Sequence, residues 1–194
     1  MNPASTHFNT FSYIFIRLDF FLKIISSWRK LFSKTKSKKI TDNLIEVDYL
    51  SGHIFLIKKK IFQIVGYFDE NIFLNFEEKD LFKRIKKNKY KIFIFKGKYS
   101  QHLEGKSSNA IYQDIMERSS KWHYYWGSIY FCKKHYGYLN ALFLFLIFFI
   151  LNLIKLTISL FLFDKKKIKI FFFSLYGLIM AIINKPSFFR PKIN

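Results

Sequence analysis

The sequence predicts an α/β domain with a short mixed sheet, followed by apolar helices that associate with a membrane. Residues 47–108 alternate between β-rich and helical stretches with short connections, which is typical of α/β proteins. Residues 137–194 are strongly apolar, and lysine and arginine clusters flank the apolar stretches. That arrangement favours contact with an anionic membrane surface.

The 194-residue length suits one domain with appendages, and composition divides the chain into four segments. These are a basic linker with an amphipathic helix (1–46), the most globular segment (47–108), an aromatic-rich helix (109–136) and membrane-associated C-terminal helices (137–194).

The globular segment carries the clearest local signals. We expect strands over 47–57 and 90–95, helices over 58–65 and 77–88, and an extended piece over 99–104. Gly66 follows the first helix, as a C-terminal glycine does. In the second helix apolar residues should face the core while lysines face outward: Leu81, Phe82 and Ile85 against Lys83, Lys86 and Lys87.

The net charge of +20 admits nucleic acid, acidic ligands or anionic lipid as partners. The basic clusters at 29–39, 133–134 and 165–169 flank apolar stretches, which favours the lipid surface. No helix-turn-helix, zinc-finger or RNA-recognition signature accompanies the charge, so we expect no nucleic-acid partner. The single cysteine, Cys132, excludes a disulfide framework.

The apolar tail admits three arrangements. Residues 139–163 are long enough to span a bilayer, but Asn152 and Lys155 lie inside that stretch. In a spanning hairpin the basic loop 164–169 would lie on the side opposite Lys133 and Lys134, which the positive-inside rule disfavours. We therefore favour helices lying in the interface at the cytoplasmic face of the cell membrane, over a true span or a buried soluble helix pair.

Three carboxylates, Glu77, Glu78 and Asp80, fall within four residues at a predicted helix start. Clustered carboxylates repel one another, so at least one pKa should rise, and a carboxylate with a raised pKa can act as a general base. A structural role is the alternative. Asn75 could cap the helix with Glu78 in a capping box, and the carboxylates would complement the helix dipole.

Short sequence blocks follow one another along residues 49–102. They are Tyr49-Leu-Ser-Gly-His53, Gly66-Tyr-Phe-Asp-Glu70, Phe76-Glu-Glu-Lys-Asp-Leu81 with Arg84, Tyr90-Lys-Ile92 and His102. In order and spacing they resemble family-2 glycosyltransferases, and the rhamnosyltransferase-like branch in particular. The resemblance implies part of a GT-A fold and inverting transfer of a sugar from a nucleotide-sugar donor to a surface-glycan or lipid-linked acceptor.

The resemblance also implies roles for individual residues. Glu78 occupies the position of the family's general base, usually an Asp, and Glu77 and Asp80 match supporting positions. Ser51, Gly52, His53 and Arg84 match substrate-binding positions, with His53 replacing a common Ala. His102 matches a histidine that helps to bind a divalent metal, Mn or Mg, which offsets the charge on the departing diphosphate.

The donor-binding half of the family, with its Asp-x-Asp metal motif, has no counterpart in the sequence. We therefore expect a truncated or split glycosyltransferase that is inactive alone and whose donor-binding half is encoded separately. The alternative is a non-enzymatic, membrane-associated remnant of such an enzyme.

Overall fold

The computed structural model describes residues 38–50, 54–97 and 112–190. These residues form a mixed α/β arrangement in which a small sheet and two helices precede three long helices. The elements are β1 (Lys38–Thr41), β2 (Leu44–Val47), α1 (Lys59–Val65), α2 (Glu77–Lys87), β3 (Ile92–Phe95), α3 (Gln113–Tyr136), α4 (Tyr138–Phe161) and α5 (Lys165–Ile182).

The sheet has the order β1-β2-β3, and both of its strand pairs are antiparallel. The prediction of a mixed sheet is therefore wrong for the described strands. Strand β1 and the first three residues of β2 also lie inside the segment, 1–46, that was predicted to be a linker with an amphipathic helix. Strand β1 gave no signal because it is an exposed edge strand with lysines and no apolar alternation.

The strand predicted over 47–57 is also wrong in its bounds, because β2 ends at Val47. Residues 54–58 belong to no described strand, although the alternation that suggested one is real. Phe55 and Ile57 pack toward the small core, whereas Ile54 and Leu56 face outward. Extended chain outside a sheet produces the same alternation, so the pattern alone does not distinguish the two.

A small apolar core joins α1, α2 and β3. The inward face predicted for α2 is confirmed, since Leu81, Phe82 and Ile85 are buried against Val65 and Ile92. Gly66 ends α1 with a φ of 82°, and its N–H donates to the carbonyl of Phe62 at 2.8 Å. A positive φ strains residues that carry a Cβ, which explains the glycine.

The predicted cap at the start of α2 is wrong. Phe76 occupies the N-cap position, and no side chain in the described part of the chain caps the helix there. Asn75 has a φ of 82°, and its Nδ2 donates to the carbonyl of Ser120 on α3 at 3.1 Å. The asparagine therefore joins two helices rather than capping one.

The three long helices form a bundle in which α3 and α5 run parallel to each other. Helix α4 runs in the opposite direction and connects the end of α3 to the start of α5. Lys166 pairs with Glu117 at 2.9 Å near the starts of α5 and α3, and Lys133 donates to Asn184 near their ends. Trp122, Ile129 and Leu178 are fully buried in the bundle core.

Helix α4 is, among the described residues, the one helix long and apolar enough to cross a membrane by length and composition. Its outer face is apolar and open, with Leu139 80% and Phe143 68% exposed. Two of its polar residues face the bundle instead, whereas Asn140 and Thr157 are exposed. Asn152 and Ser159 are buried, and each donates to the carbonyl four residues earlier.

Candidate functional site

The candidate site is built around Asp80, a fully buried carboxylate in the first turn of α2. Its Oδ2 accepts a hydrogen bond from Arg84 Nε at 2.9 Å, one turn further along the helix. Its Oδ1 lies 2.7 Å from Lys134 Nζ and 2.8 Å from His135 Nε2, both near the end of α3. Asp80 therefore fixes the start of α2 against α3.

These contacts decide the protonation state of Asp80. Burial alone raises the pKa of a carboxyl group, but hydrogen bonds from Lys134, His135 and Arg84 outweigh burial and lower the pKa of Asp80. The group is therefore ionised near neutral pH. An ionised carboxylate whose two oxygens already accept three charged or polar donors suits positioning better than proton abstraction.

Asp69, in the turn between α1 and α2, shares Lys134 with Asp80. Its Oδ2 lies 2.7 Å from Lys134 Nζ and accepts a hydrogen bond from the Tyr130 hydroxyl at 2.9 Å. Burial opposes ionisation, but the bonds from Lys134 and Asn71 prevail and lower the pKa of Asp69 to about 2. Burial and the Asp69 charge raise the pKa of Tyr130 to about 12. We call Asp69, Asp80, Arg84, Lys134 and His135 the Asp80 network.

Arg84 completes the network from the other side. Besides Asp80, it donates to three consecutive carbonyls after α1, those of Val65 at 2.5 Å, Gly66 at 2.8 Å and Tyr67 at 2.6 Å. All three guanidinium nitrogens therefore have protein partners. This clamp holds the glycine turn against α2, and a direct substrate contact by Arg84 stays a prediction.

His135 is neutral in this arrangement. Burial lowers its pKa despite the bond to Asp80, and the charges of Lys134 and Lys83 lower it further. Because a carboxylate can only accept, the hydrogen of the neutral ring lies on Nε2 and points to Asp80.

Glu77 and Glu78 precede Asp80 and behave differently from it. Burial raises the pKa of Glu77, and the neighbouring Glu78 charge raises it further, which confirms the expected rise in the carboxylate cluster. Glu77 Oε2 is buried and has no hydrogen-bond partner among the described residues. Glu78 is half-buried beside it. The two side chains thus form a pair of interacting carboxylates on a rigidly held helix start.

Four predicted site residues, Ser51, Gly52, His53 and His102, lie outside the described residues. The described part of the chain holds no group of three His, Cys, Asp or Glu side chains that could bind a metal. The divalent metal and the substrate contacts of these residues therefore stay predictions.

Sequence patterns did not reveal that Asp69, Tyr130, Lys134 and His135 belong with Asp80. Asp69 resembled an ordinary turn residue, and Lys134 resembled part of a basic cluster before the tail. Asp80 and His135 are 55 positions apart along the chain. The adjacent Lys134 and His135, one turn before Gly137, were the signal that could have suggested a buried acidic partner.

Comparison of the chain with protein-family models, with curated proteins and with solved structures finds no significant match in any of the three.

Proposed function

We propose that the chain is the acceptor-side part of an inverting, GT-A-like glycosyltransferase that transfers a sugar from a nucleotide-sugar donor to a surface-glycan or lipid-linked acceptor. The observation that carries the proposal is the pair Glu77 and Glu78 at the start of α2. Glu77, the neighbour of Glu78, has a raised pKa and a buried oxygen without a hydrogen-bond partner among the described residues. Unpaired buried carboxylates of this kind are common at catalytic sites.

The proposed chemistry is a single displacement in which Glu78 is the base. The acceptor hydroxyl gives its proton to the Glu78 carboxylate while its oxygen forms a bond to the anomeric carbon. The bond from that carbon to the diphosphate breaks, and the nucleoside diphosphate leaves with the electron pair. A divalent metal, held in part by His102, would offset the charge on that leaving group.

The Asp80 network has a positioning role in this scheme. A general base must lie within hydrogen-bond distance of the hydroxyl, and a displacement of about 1 Å can cost about 100-fold in rate. Asp80 ties the first turn of α2 to α3, and Arg84 ties it to the glycine turn. Both contacts keep the backbone of Glu78 fixed without using its side chain.

We further propose that the tail holds the chain at the cytoplasmic face of the membrane, with α4 lying in the interface. Helix α4 packs beside α3, whose first two turns carry Asp114, Glu117 and Arg118. A bilayer crossed by α4 would therefore surround charged parts of α3. An interfacial α4 buries its open apolar face and keeps those charges in water.

The donor contacts are proposed to come from a donor-binding half outside the 194 residues of this chain. On this proposal the purified chain alone gives no transfer with nucleotide sugars and manganese. Robust turnover by the pure chain, abolished in Glu78→Gln, would show that these 194 residues supply the donor contacts themselves.

The function is tested by allelic replacement in cells that carry the chain. Surface glycans from wild-type, deletion, Glu78→Gln and Glu70→Gln strains are compared by mass spectrometry. Glu70 is exposed in the turn before α2 and serves as the control. We expect the deletion and Glu78→Gln strains to lack the same sugar and the Glu70→Gln strain to keep it. Identical glycans in all four strains would instead indicate a non-enzymatic remnant.

A further inference from the structure

A basic cleft lies where the ends of α2 and α3 meet, on the outer side of the Asp80 network. Its volume is about 370 Å³, and among the described residues it is lined by Lys83, Lys86, Lys87, Lys134 and His135. Small-molecule sites commonly have volumes of about 300–1,000 Å³. A cleft of that size lined by four lysines and a histidine has the chemistry of an anion site.

The counter-ions of the cleft lie behind or beside it. Lys134 is paired with Asp80, which is fully buried, and Lys86 is paired with Asp48 at 2.6 Å. Lys83 donates to the Tyr136 hydroxyl at 2.9 Å. No carboxylate of the described residues lies within ion-pair distance of Lys83 or Lys87. The cleft therefore has an excess of positive charge on its open side.

A structural role explains part of this arrangement. Lysines in the last turn of a helix stabilise the negative end of its dipole, and Lys86, Lys87 and Lys134 occupy such positions. The dipole does not explain why lysines from two helices converge on one cleft. Lys83 and Lys87 lie one turn apart on α2 without a counter-ion among the described residues, and like charges at that spacing repel one another. A bound anion would remove that cost.

The position of the cleft indicates what kind of molecule carries the anion. Helix α4 begins at Tyr138, three residues after His135, and its open apolar face starts at Leu139. Tyr136, which accepts a hydrogen bond from Lys83, is half-exposed, and so is Tyr138 at the start of α4, as tyrosines at a membrane interface often are. When α4 lies in the interface, the cleft lies at the level of lipid headgroups.

We propose that the cleft binds a phosphate or diphosphate group, with Lys83 and Lys87 as its principal donors. Ammonium groups are strong donors to phosphate oxygens. The inference deepens the proposed function, on which it rests for the nature of the acceptor, by assigning the phosphate of a lipid-linked acceptor to this cleft.

The test measures binding, which needs no sugar transfer. The full chain in detergent is titrated with inorganic pyrophosphate, and its binding to phosphatidylcholine vesicles is compared with and without phosphatidic acid. Lys83→Ala with Lys87→Ala is the test variant. Lys59→Ala with Lys60→Ala removes the same charge from the exposed start of α1, outside the basic clusters assigned to the lipid surface, and is the matched control. Lys83→Arg with Lys87→Arg keeps the charge.

We expect saturable binding of a phosphate probe that weakens about tenfold in the Lys83/Lys87 alanine variant, and only there. The arginine variant should bind as the wild type does. Preference for phosphatidic acid over pyrophosphate assigns the cleft to a lipid phosphate, and the reverse preference assigns it to a soluble one.

Two results would overturn the proposal. One is that neither probe binds the wild-type chain. The other is an equal loss in both alanine variants, which would mean diffuse charge attraction rather than a site. Suppose that Glu78→Gln abolishes sugar addition while the Lys83/Lys87 alanine variant binds the phosphate probes as the wild type does. Phosphate binding in the cleft is then refuted, and the transferase proposal stands.

Discussion

Asp80 on α2 accepts a hydrogen bond from His135 Nε2 on α3 at 2.8 Å, across 55 positions of sequence. Asp80 is fully buried and His135 nearly so, with 9% of its side chain exposed. Because the ring is neutral and the carboxylate ionised, the bond is charge-assisted and depends little on salt. It couples the helix that carries Glu77 and Glu78 to the helix that leads into the apolar tail.

Asp80→Asn should lower the free energy of unfolding by about 3 kcal/mol at neutral pH, because it leaves Arg84 near the core without its counter-ion and leaves Lys134 with Asp69 alone. The folded pKa of Asp80 is lowered, so its contribution is present above the ordinary carboxyl pKa of about 4 and is lost as pH falls through the folded pKa. Denaturant unfolding in detergent, followed by tryptophan fluorescence, measures both effects. The exposed Asp42→Asn is the control, and an equal loss there would contradict the account.

Glu77→Gln should stabilise the fold, in contrast to Asp80→Asn. A raised folded pKa means that Glu77 opposes folding once pH exceeds the ordinary value of about 4.5, so the gain should grow with pH above that point. We expect about 1 kcal/mol at pH 7, since water screens a half-buried group. The same denaturation series checks this against Glu70→Gln. A gain that is constant from pH 3 to pH 7 would argue against a raised pKa.

Gly177→Ala should destabilise the helix bundle by about 2 kcal/mol. A Cβ built at Gly177 would lie 2.4 Å from the carbonyl oxygen of Trp122, which is rigid backbone. Gly127→Ala is the matched control in another helix. Its Cβ would meet the Phe76 ring at 2.8 Å, and a ring can turn away. Thermal unfolding followed by circular dichroism should give Gly177→Ala a lower midpoint temperature than Gly127→Ala. The reverse order would refute the close helix contact.

Leu139→Glu with Phe143→Glu should release the chain from vesicles that contain anionic lipid. These side chains are the most exposed apolar residues in the first two turns of α4, and a charge there opposes burial in the interface. Ile54→Glu with Leu56→Glu adds the same charge to exposed apolar residues of the α/β part. Vesicle flotation measures the fraction of each variant that stays bound to the vesicles. Equal bound fractions for both variants would show that α4 does not contact the membrane.

His123 should make stability depend on pH below the neutral range. It is buried, with Nε2 2.8 Å from the Phe189 carbonyl oxygen and Nδ1 3.0 Å from Ser187 Oγ, and burial lowers its pKa to about 4. Arg190 beside it opposes a second positive charge. The unfolded chain binds a proton first as pH falls below about 6.5, so stability should decrease from there to about pH 4. His123→Gln should remove most of that slope, whereas His135→Gln should remove a smaller part of it, because the pKa of His135 is also lowered in the folded chain.

Helices were predictable from the sequence where the spacing of apolar residues matches the face that the fold buries. The core face of α2 and the glycine after α1 follow from the spacing of Leu81, Phe82 and Ile85 and from Gly66. The exposed strand β1 was not predictable, because an edge strand that buries nothing needs no apolar pattern. The direction of strand pairing depends on how the chain returns between β2 and β3, which no short pattern encodes.

The candidate site was predictable in part for a related reason. Glu77, Glu78 and Asp80 are conspicuous as a local cluster, but their chemistry depends on residues brought by α3. Lys134 and His135 lower the pKa of Asp80, while burial raises that of Glu77. Neighbouring carboxylates that look alike in sequence are therefore separated by tertiary contacts.

The most direct test of the glycosyltransferase proposal is sugar transfer in native membranes. Membranes from cells carrying wild-type, Glu78→Gln or Glu70→Gln chains are incubated with radiolabelled nucleotide sugars and manganese, and label in the lipid-linked fraction is counted. We predict incorporation with the wild type and Glu70→Gln and a loss of about 1,000-fold with Glu78→Gln, as expected when a general base is removed. Equal incorporation with all three chains would contradict the proposal.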